Sequence, residues 1–207
     1  MRLFALTVKS LLATMRIISD RMCIMFGMNK NLKKTNTAIY RDVGSQMIID
    51  GALTLGDKHR NRFKRSTILR MGRDSCFHVL GNFRFYYGCD IQLFDNGKLE
   101  IGSGFCNSDC KIRCKKHIEI GNDVAIAHDV LIMDCDGHSI DGKTDEGIPI
   151  AIGNNVWIGS KSIILKGVKL GDNVIVAAGS VVTKSFAGNV MIGGNPAGII
   201  KEGCRWE

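Results

Sequence analysis

Apolar residues in the second half of the chain return at every sixth position. They run through Ile152, Ile158, Ile164, Leu170, Val176 and Val182, with the same phase earlier at Ile120, Ile126 and Ile132. An amphipathic helix needs a period near 3.6 and a half-exposed strand a period of 2, so neither describes this segment. A six-residue unit repeated in this way predicts a solenoid of very short strands, each burying one anchor side chain. Gly102, Gly121, Gly153, Gly159 and Gly171 directly follow anchors, where a corner needs either unusual backbone angles or close backbone approach. Val124, Val130, Val156, Val168 and Val174 stand four positions after their anchors as compact fillers. Three units per turn predict a coil of about 18 residues whose backbone pairs with the coils above and below.

The rhythm weakens toward the amino terminus. Strand patterns begin near Met47 and continue through Leu53, Leu55 and Ile68, while Asn107 falls where the phase from Ile101 predicts an apolar anchor. Asn29 to Thr37 is polar and basic and reads as a connector. Residues 3–28 are strongly apolar but carry Lys9, Arg16, Asp20 and Arg21. As a helix they place Phe4, Val8, Leu11, Met15, Ile18 and Met22 on one face. The charges argue against a membrane span, and no small-residue cleavage pattern marks a signal peptide. The prediction is a helix packed on the domain or an oligomer, with peripheral membrane contact as the second reading. The domain boundaries expected are 1–46 for helix and connector, 47–201 for the β-helix and 202–207 for a tail. A stack of coils exposes strand edges at its ends, so either the helix or the segment after Asn195 is expected to act as a cap.

Composition narrows the function classes modestly. The 24 glycines and 2 prolines fit neither a proline-rich linker nor collagen. A formal charge of +8 suits a polyanionic partner or simple solubility and does not choose between them. The basic run from Lys58 to Arg65 reads as a solvated loop; Tyr86 and Tyr87 lack a nucleic-acid-binding fold around them, so no nucleic acid is expected. The 8 cysteines include no close CxxC pair, which disfavours a disulfide scaffold. Cys106, Cys110 and Cys114 read as buried or edge thiols, and no metal is expected.

Chemistry is expected where the rhythm stops. In MDCDGHSIDGKTDEGIPI a polar stretch interrupts the coils before the repeat resumes at Ile152. A structural solenoid has little need of such a loop, whereas a cleft needs side chains projecting from a rigid scaffold. His138 is therefore the sharpest candidate for chemistry in such a cleft. Asp134, Asp136 and Asp141 flank the histidine; one of them, Asp136 by preference, would hold the imidazole or contact an acceptor hydroxyl, with a loop-capping role as the alternative. His117 and His128 do not form a ligand spacing with His138.

The strings IGNDVAIAHDVLI, IGNNVWIG, LGDNVIVAAGSVVTK and IGGNPAGIIK resemble those of hexapeptide-repeat acyltransferases. The likeness is strong over residues 99–201 and weaker over 47–98, and in style is nearest to maltose, galactoside and cell-surface polysaccharide O-acetyltransferases. It implies an all-β, left-handed parallel β-helix with an inserted active-site loop, a homotrimer, and acyl-CoA sites between adjacent subunits. It further implies that His138 is the catalytic base, that Asn107 contributes to the cleft and that Trp157 walls the acceptor pocket. Ser160 would meet coenzyme A and the reaction centre beside a narrow turn at Gly159. Ala177, Ala178 and Gly179 would line the pantetheine arm, while Lys184 and Lys201 would meet phosphates. Neither a Walker loop nor a dinucleotide fingerprint is present. The expected activity is acetyl transfer from acetyl-CoA to a sugar hydroxyl, on a cell-surface polysaccharide or its precursor, in the cytoplasm or at the inner membrane face. Amino-sugar N-acyl transfer, serine acetylation and a nonenzymatic scaffold are the alternatives; the helical amino-terminal domain expected of a serine acetyltransferase is not evident.

Overall fold

The structure, a computed structural model, describes residues 30–57, 65–139 and 141–207. Each short strand turns alternate side chains inward, so the anchor and the residue two before it both enter the core. Val156 with Ile158, Val168 with Leu170, and Val174 with Val176 are such pairs, all buried. Stacking aligns the anchors in ladders. Ile126 pairs with Ile158 and Ile158 with Val176 on one face; Ile132 pairs with Ile164 and Ile164 with Val182 on the next. On the third face Ile120 pairs with Ile152 and Ile152 with Leu170. The result is three sheets of 9, 7 and 6 strands, here called first, second and third in the order each coil visits them. All pairings are parallel except the last in the first sheet. This is the all-β, three-faced stack expected of a left-handed β-helix. In the regular carboxy-terminal coils the side chain of Asn155 meets that of Asn173, 18 positions on.

The corner glycines are explained by crowding, not by backbone angle. A Cβ on Gly121 would lie 2.8 Å from the carbonyl carbon of Gly153, and one on Gly153 would lie 2.8 Å from that of Gly171. The left-handed positions fall two residues later, on Asp123 (φ 56°), Asn155 (φ 52°) and Asn173 (φ 62°). Asp and Asn tolerate that conformation because their short polar side chains hydrogen-bond locally.

Three expectations need adjustment. The segment read as a polar connector carries strands: Leu32–Lys34 pairs with Ala52–Asp57, and Thr37–Arg41 pairs with Thr67–Met71. Its polar residues concealed the alternation, yet Leu32 and Ile39 pack against the core. Asn107 does not occupy an anchor slot. Cys106 fills it, paired with Phe85 and Ile126, because the short strand Gly104–Cys106 shifts the phase by one. At the carboxy-terminal end, Val190–Gly194 turns through Asn195 and Pro196 into Ala197–Glu202, which pairs back antiparallel. The tail thus supplies an edge strand rather than a lid, with Lys201 and Glu202 exposed on it. The expected amino-terminal helix lies outside the described residues, as does all of the basic run except Arg65, which pairs with Asp109 at 2.7 Å.

Candidate active site

The interrupting loop leaves the second sheet after Leu131–Met133 and rejoins the third at Ile150–Ile152. Its base is built on a buried carboxylate. Asp134 accepts hydrogen bonds from the backbone N–H groups of Lys115 (2.7 Å), Lys116 (2.7 Å) and His117 (2.8 Å). A carboxylate out of water needs such donors, and three of them lock the loop's origin to the preceding coil. The backbone N–H of Ile148 then donates to the Asp134 carbonyl at 2.7 Å and closes the neck.

A second carboxylate shapes the tip. Asp145 accepts from the backbone N–H groups of Asp136 (2.8 Å), Gly137 (2.9 Å) and Gly147 (3.2 Å). Burial alone would raise its pKa; the three backbone donors, helped by Lys115, hold it below the usual carboxylate value. The chain turns at Gly137 with φ of 80°, and His138 follows, exposed to solvent. Cys135, beside the neck, has its thiol pushed up to about 11 by burial, then by the charges of Asp134 and Asp145. Neither Asp134 nor Asp136 attends the imidazole. Asp134 is spent on backbone, and the Asp136 carboxylate pairs with Lys166 of the next coil. Asp141 stands exposed on the far limb.

A different set of expected residues gathers at the corner between the first and second sheets. Asn107, Ala127, Gly159 and Ala177 occupy successive rungs there. Asn107 N–H donates to Ile126 O (2.8 Å), Ala127 N–H to Ile158 O (2.9 Å) and Gly159 N–H to Val176 O (2.8 Å). Gly179 N–H donates to Ser160 O at 2.8 Å, placing Ser160 and the Ala178–Gly179 turn side by side. Neighbouring rungs approach closely at Gly159. A Cβ on Gly159 would lie 2.6 Å from the Ala178 nitrogen, so that rung admits no side chain at all.

His128 belongs to this strip as well. Its Nδ1 lies 2.8 Å from the Oγ of buried Ser108, between the rungs of Asn107 and Ser160. In sequence His128 stands out only by failing to form a ligand spacing with His138. The available signal was a polar residue two positions after successive first-sheet anchors: Ser108 after Cys106, His128 after Ile126 and Ser160 after Ile158.

Trp157 faces outward from the adjacent first sheet, in a row with Phe105 and Ala125 below and Ile175 and Met191 above. Its side chain remains 42% exposed. Lys184 sits 5.6 Å over the ring of Phe186, and Lys201 lies opposite Met191 on the terminal hairpin. One chain therefore gathers Asn107, Gly159, Ser160, Ala177, Ala178 and Gly179 at one corner with Trp157 beside it. The His138 loop departs from the other edge of the second sheet, a three-residue strand or about 10 Å away. Among the described residues, no group of three His, Cys, Asp or Glu side chains is arranged to hold a metal ion.

A family profile described as the hexapeptide repeat of succinyl-transferase matches residues 149–184. The galactoside O-acetyltransferase of Escherichia coli is 36% identical over 57% of this chain and 57% of its own length, so the chain spans little more than half of that relative. A putative acetyltransferase of Saccharomyces cerevisiae is 34% identical over 67% of this chain and 71% of that protein. Among solved structures, a polysialic acid O-acetyltransferase superposes with a TM-score of 0.51 at 26% identity, covering 85% of this chain and 90% of that one.

Proposed function

The chain belongs to the hexapeptide-repeat acyltransferase family, and on that premise we propose that it is an acetyl-CoA-dependent O-acetyltransferase acting on a sugar hydroxyl of a cell-surface polysaccharide or its precursor, in the cytoplasm. The observation that carries this reading is the loop: two carboxylates organise its backbone so that His138 projects from the stacked coils. The corner strip fits the donor. Small residues and a rung closed to side chains make a slot for the slender pantetheine arm, and the exposed Lys184 and Lys201 offer positive charge to its phosphates.

In the proposed reaction the neutral imidazole of His138 takes the proton from an acceptor hydroxyl as its oxygen attacks the thioester carbonyl. The carbon–sulfur bond then breaks, and the imidazolium returns the proton to the departing thiolate. In this reading the Ser160 hydroxyl steadies the negative oxygen of the tetrahedral intermediate. Trp157 provides an apolar face for a pyranose ring. In this reading the complete site forms between copies in a homotrimer, the loop of one copy over the corner of the next, which the separation of His138 from the corner strip across one sheet supports.

The test is release of CoA thiol from acetyl-CoA by the purified chain, across a panel of hydroxyl and amino glycans. Hydroxyl-dependent release that falls about 10²–10⁴-fold in His138→Ala supports the reading. Turnover with amino sugars alone replaces it with N-acyl transfer, and no turnover with any glycan contradicts it.

A further inference from the structure

The chain contains 2 tryptophans, and the fold brings them together. Trp206 reaches back from beyond the terminal hairpin to lie beside Trp157, ring centroids 6.5 Å apart and planes at 52°. This placement is built rather than incidental. Trp206 Nε1–H donates to the backbone carbonyl of Asn155 at 2.9 Å, and Asn155 Nδ2 donates to the Trp206 carbonyl at 3.3 Å. The same Asn155 amide donates to Asn173 Oδ1 at 2.8 Å, and Asn173 Nδ2 to Asn189 Oδ1 at 3.0 Å. Cys204 N–H donates to the Asn189 carbonyl at 3.1 Å. An amide ladder along one corner of the helix therefore clips the tail at two levels and fixes the second indole.

Two consequences follow from the geometry. The indole N–H of Trp206 is already committed to Asn155, so what the ring adds is an apolar face, not a hydrogen-bond donor. The pair is also open: two tilted indoles with Trp157 still 42% exposed form a wedge rather than a sealed contact. A flat apolar C–H face of a pyranose ring suits such a wedge, whereas a charged or linear group gains little from it.

We propose that Trp206 is a specificity-determining residue, forming with Trp157 a two-indole clamp for one sugar ring of the acceptor. This rests on the acetyl-transfer reading above, in which Trp157 lies on the acceptor side. The clamp selects for the acceptor and leaves the chemistry of transfer to His138 and the corner strip.

The test uses the full chain with methyl glycosides of glucose, galactose and N-acetylneuraminic acid as probes. In Trp157→Phe the only remaining fluorophore of its kind is Trp206, so its emission reports directly on this site. Quenching of that emission by at least one glycoside, with no change on adding CoA alone, is expected. For the best acceptor in turnover, Trp206→Ala should raise the acceptor KM about 10-fold while kcat and the acetyl-CoA KM change less than about 3-fold. Trp206→Phe, which keeps a ring, should recover most of the loss. Quenching by CoA but by no glycoside, no quenching by any probe, or an unchanged acceptor KM in Trp206→Ala overturns the proposal. Failure of the parent reading looks different: the unaltered chain would then release no CoA with any sugar, whatever the fluorescence shows.

Discussion

At the scale of single residues, the acidic positions around His138 divide by what their oxygens touch. Asp134 appears in sequence as a neighbour of the proposed base, but its carboxylate is saturated by three backbone donors of the preceding coil. Asp134→Ala leaves those N–H groups unsatisfied in a buried neck, at a cost of about 3 kcal/mol. A lowered melting temperature together with lost activity is the expected outcome, read by calorimetry and CoA release. His138→Ala, by contrast, removes an exposed side chain, so its melting temperature should match that of the parent chain while transfer falls. Asp145 adds a pH dependence. Its folded pKa is depressed, so the loop order it contributes is present above the unfolded carboxylate pKa of about 4 and lost as pH falls through the lower folded value. Hydrogen exchange at Asp136, Gly137 and Gly147 should accelerate across that acid window. In Asp145→Asn the acid step should disappear.

At the scale of elements, the six-residue period named the strands, and the pairings bear it out from Ile120 to Val182. Legibility failed where the unit length changed. One residue fewer before Cys106 moved Asn107 off the anchor ladder, and a period counted forward from Ile101 has no means of detecting that shift. The first coil was obscured for another reason. Among the described residues Leu32–Lys34 pairs only with Ala52–Asp57 and Thr37–Arg41 only with Thr67–Met71, and their inward Leu32 and Ile39 are only partly buried, so the apolar signal is weaker there. The corner glycines were legible as necessary, while their cause needed coordinates. Crowding between Gly153 and the next coil predicts that Gly153→Ala forces the stacked backbones apart, costing about 1–3 kcal/mol, measurable as a reduced denaturation midpoint. The corner strip was half legible: Ser160 and the Ala177–Gly179 turn carry a family pattern, but His128 emerges only once rungs are aligned. Trp206 had no local signal at all, since its partner lies 51 residues earlier.

At the scale of the whole molecule, a rigid three-sided prism separates the parts of the proposed site. The loop with His138 and the strip with Ser160 and Ala178 flank opposite edges of the second sheet. In the proposed homotrimer a neighbouring copy packed against that sheet would bring one chain's loop to the other's strip, so activity and assembly should fall together on dilution. The decisive measurement mixes two inactive chains: His138→Ala, which lacks the base, and Ala178→Trp, which blocks the strip. Refolded together in equal amounts, they should regain about a quarter of the parent activity, because one interface in four then joins an intact loop to an intact strip. Mixed assemblies that form yet stay as inactive as either chain alone would contradict a site shared between copies.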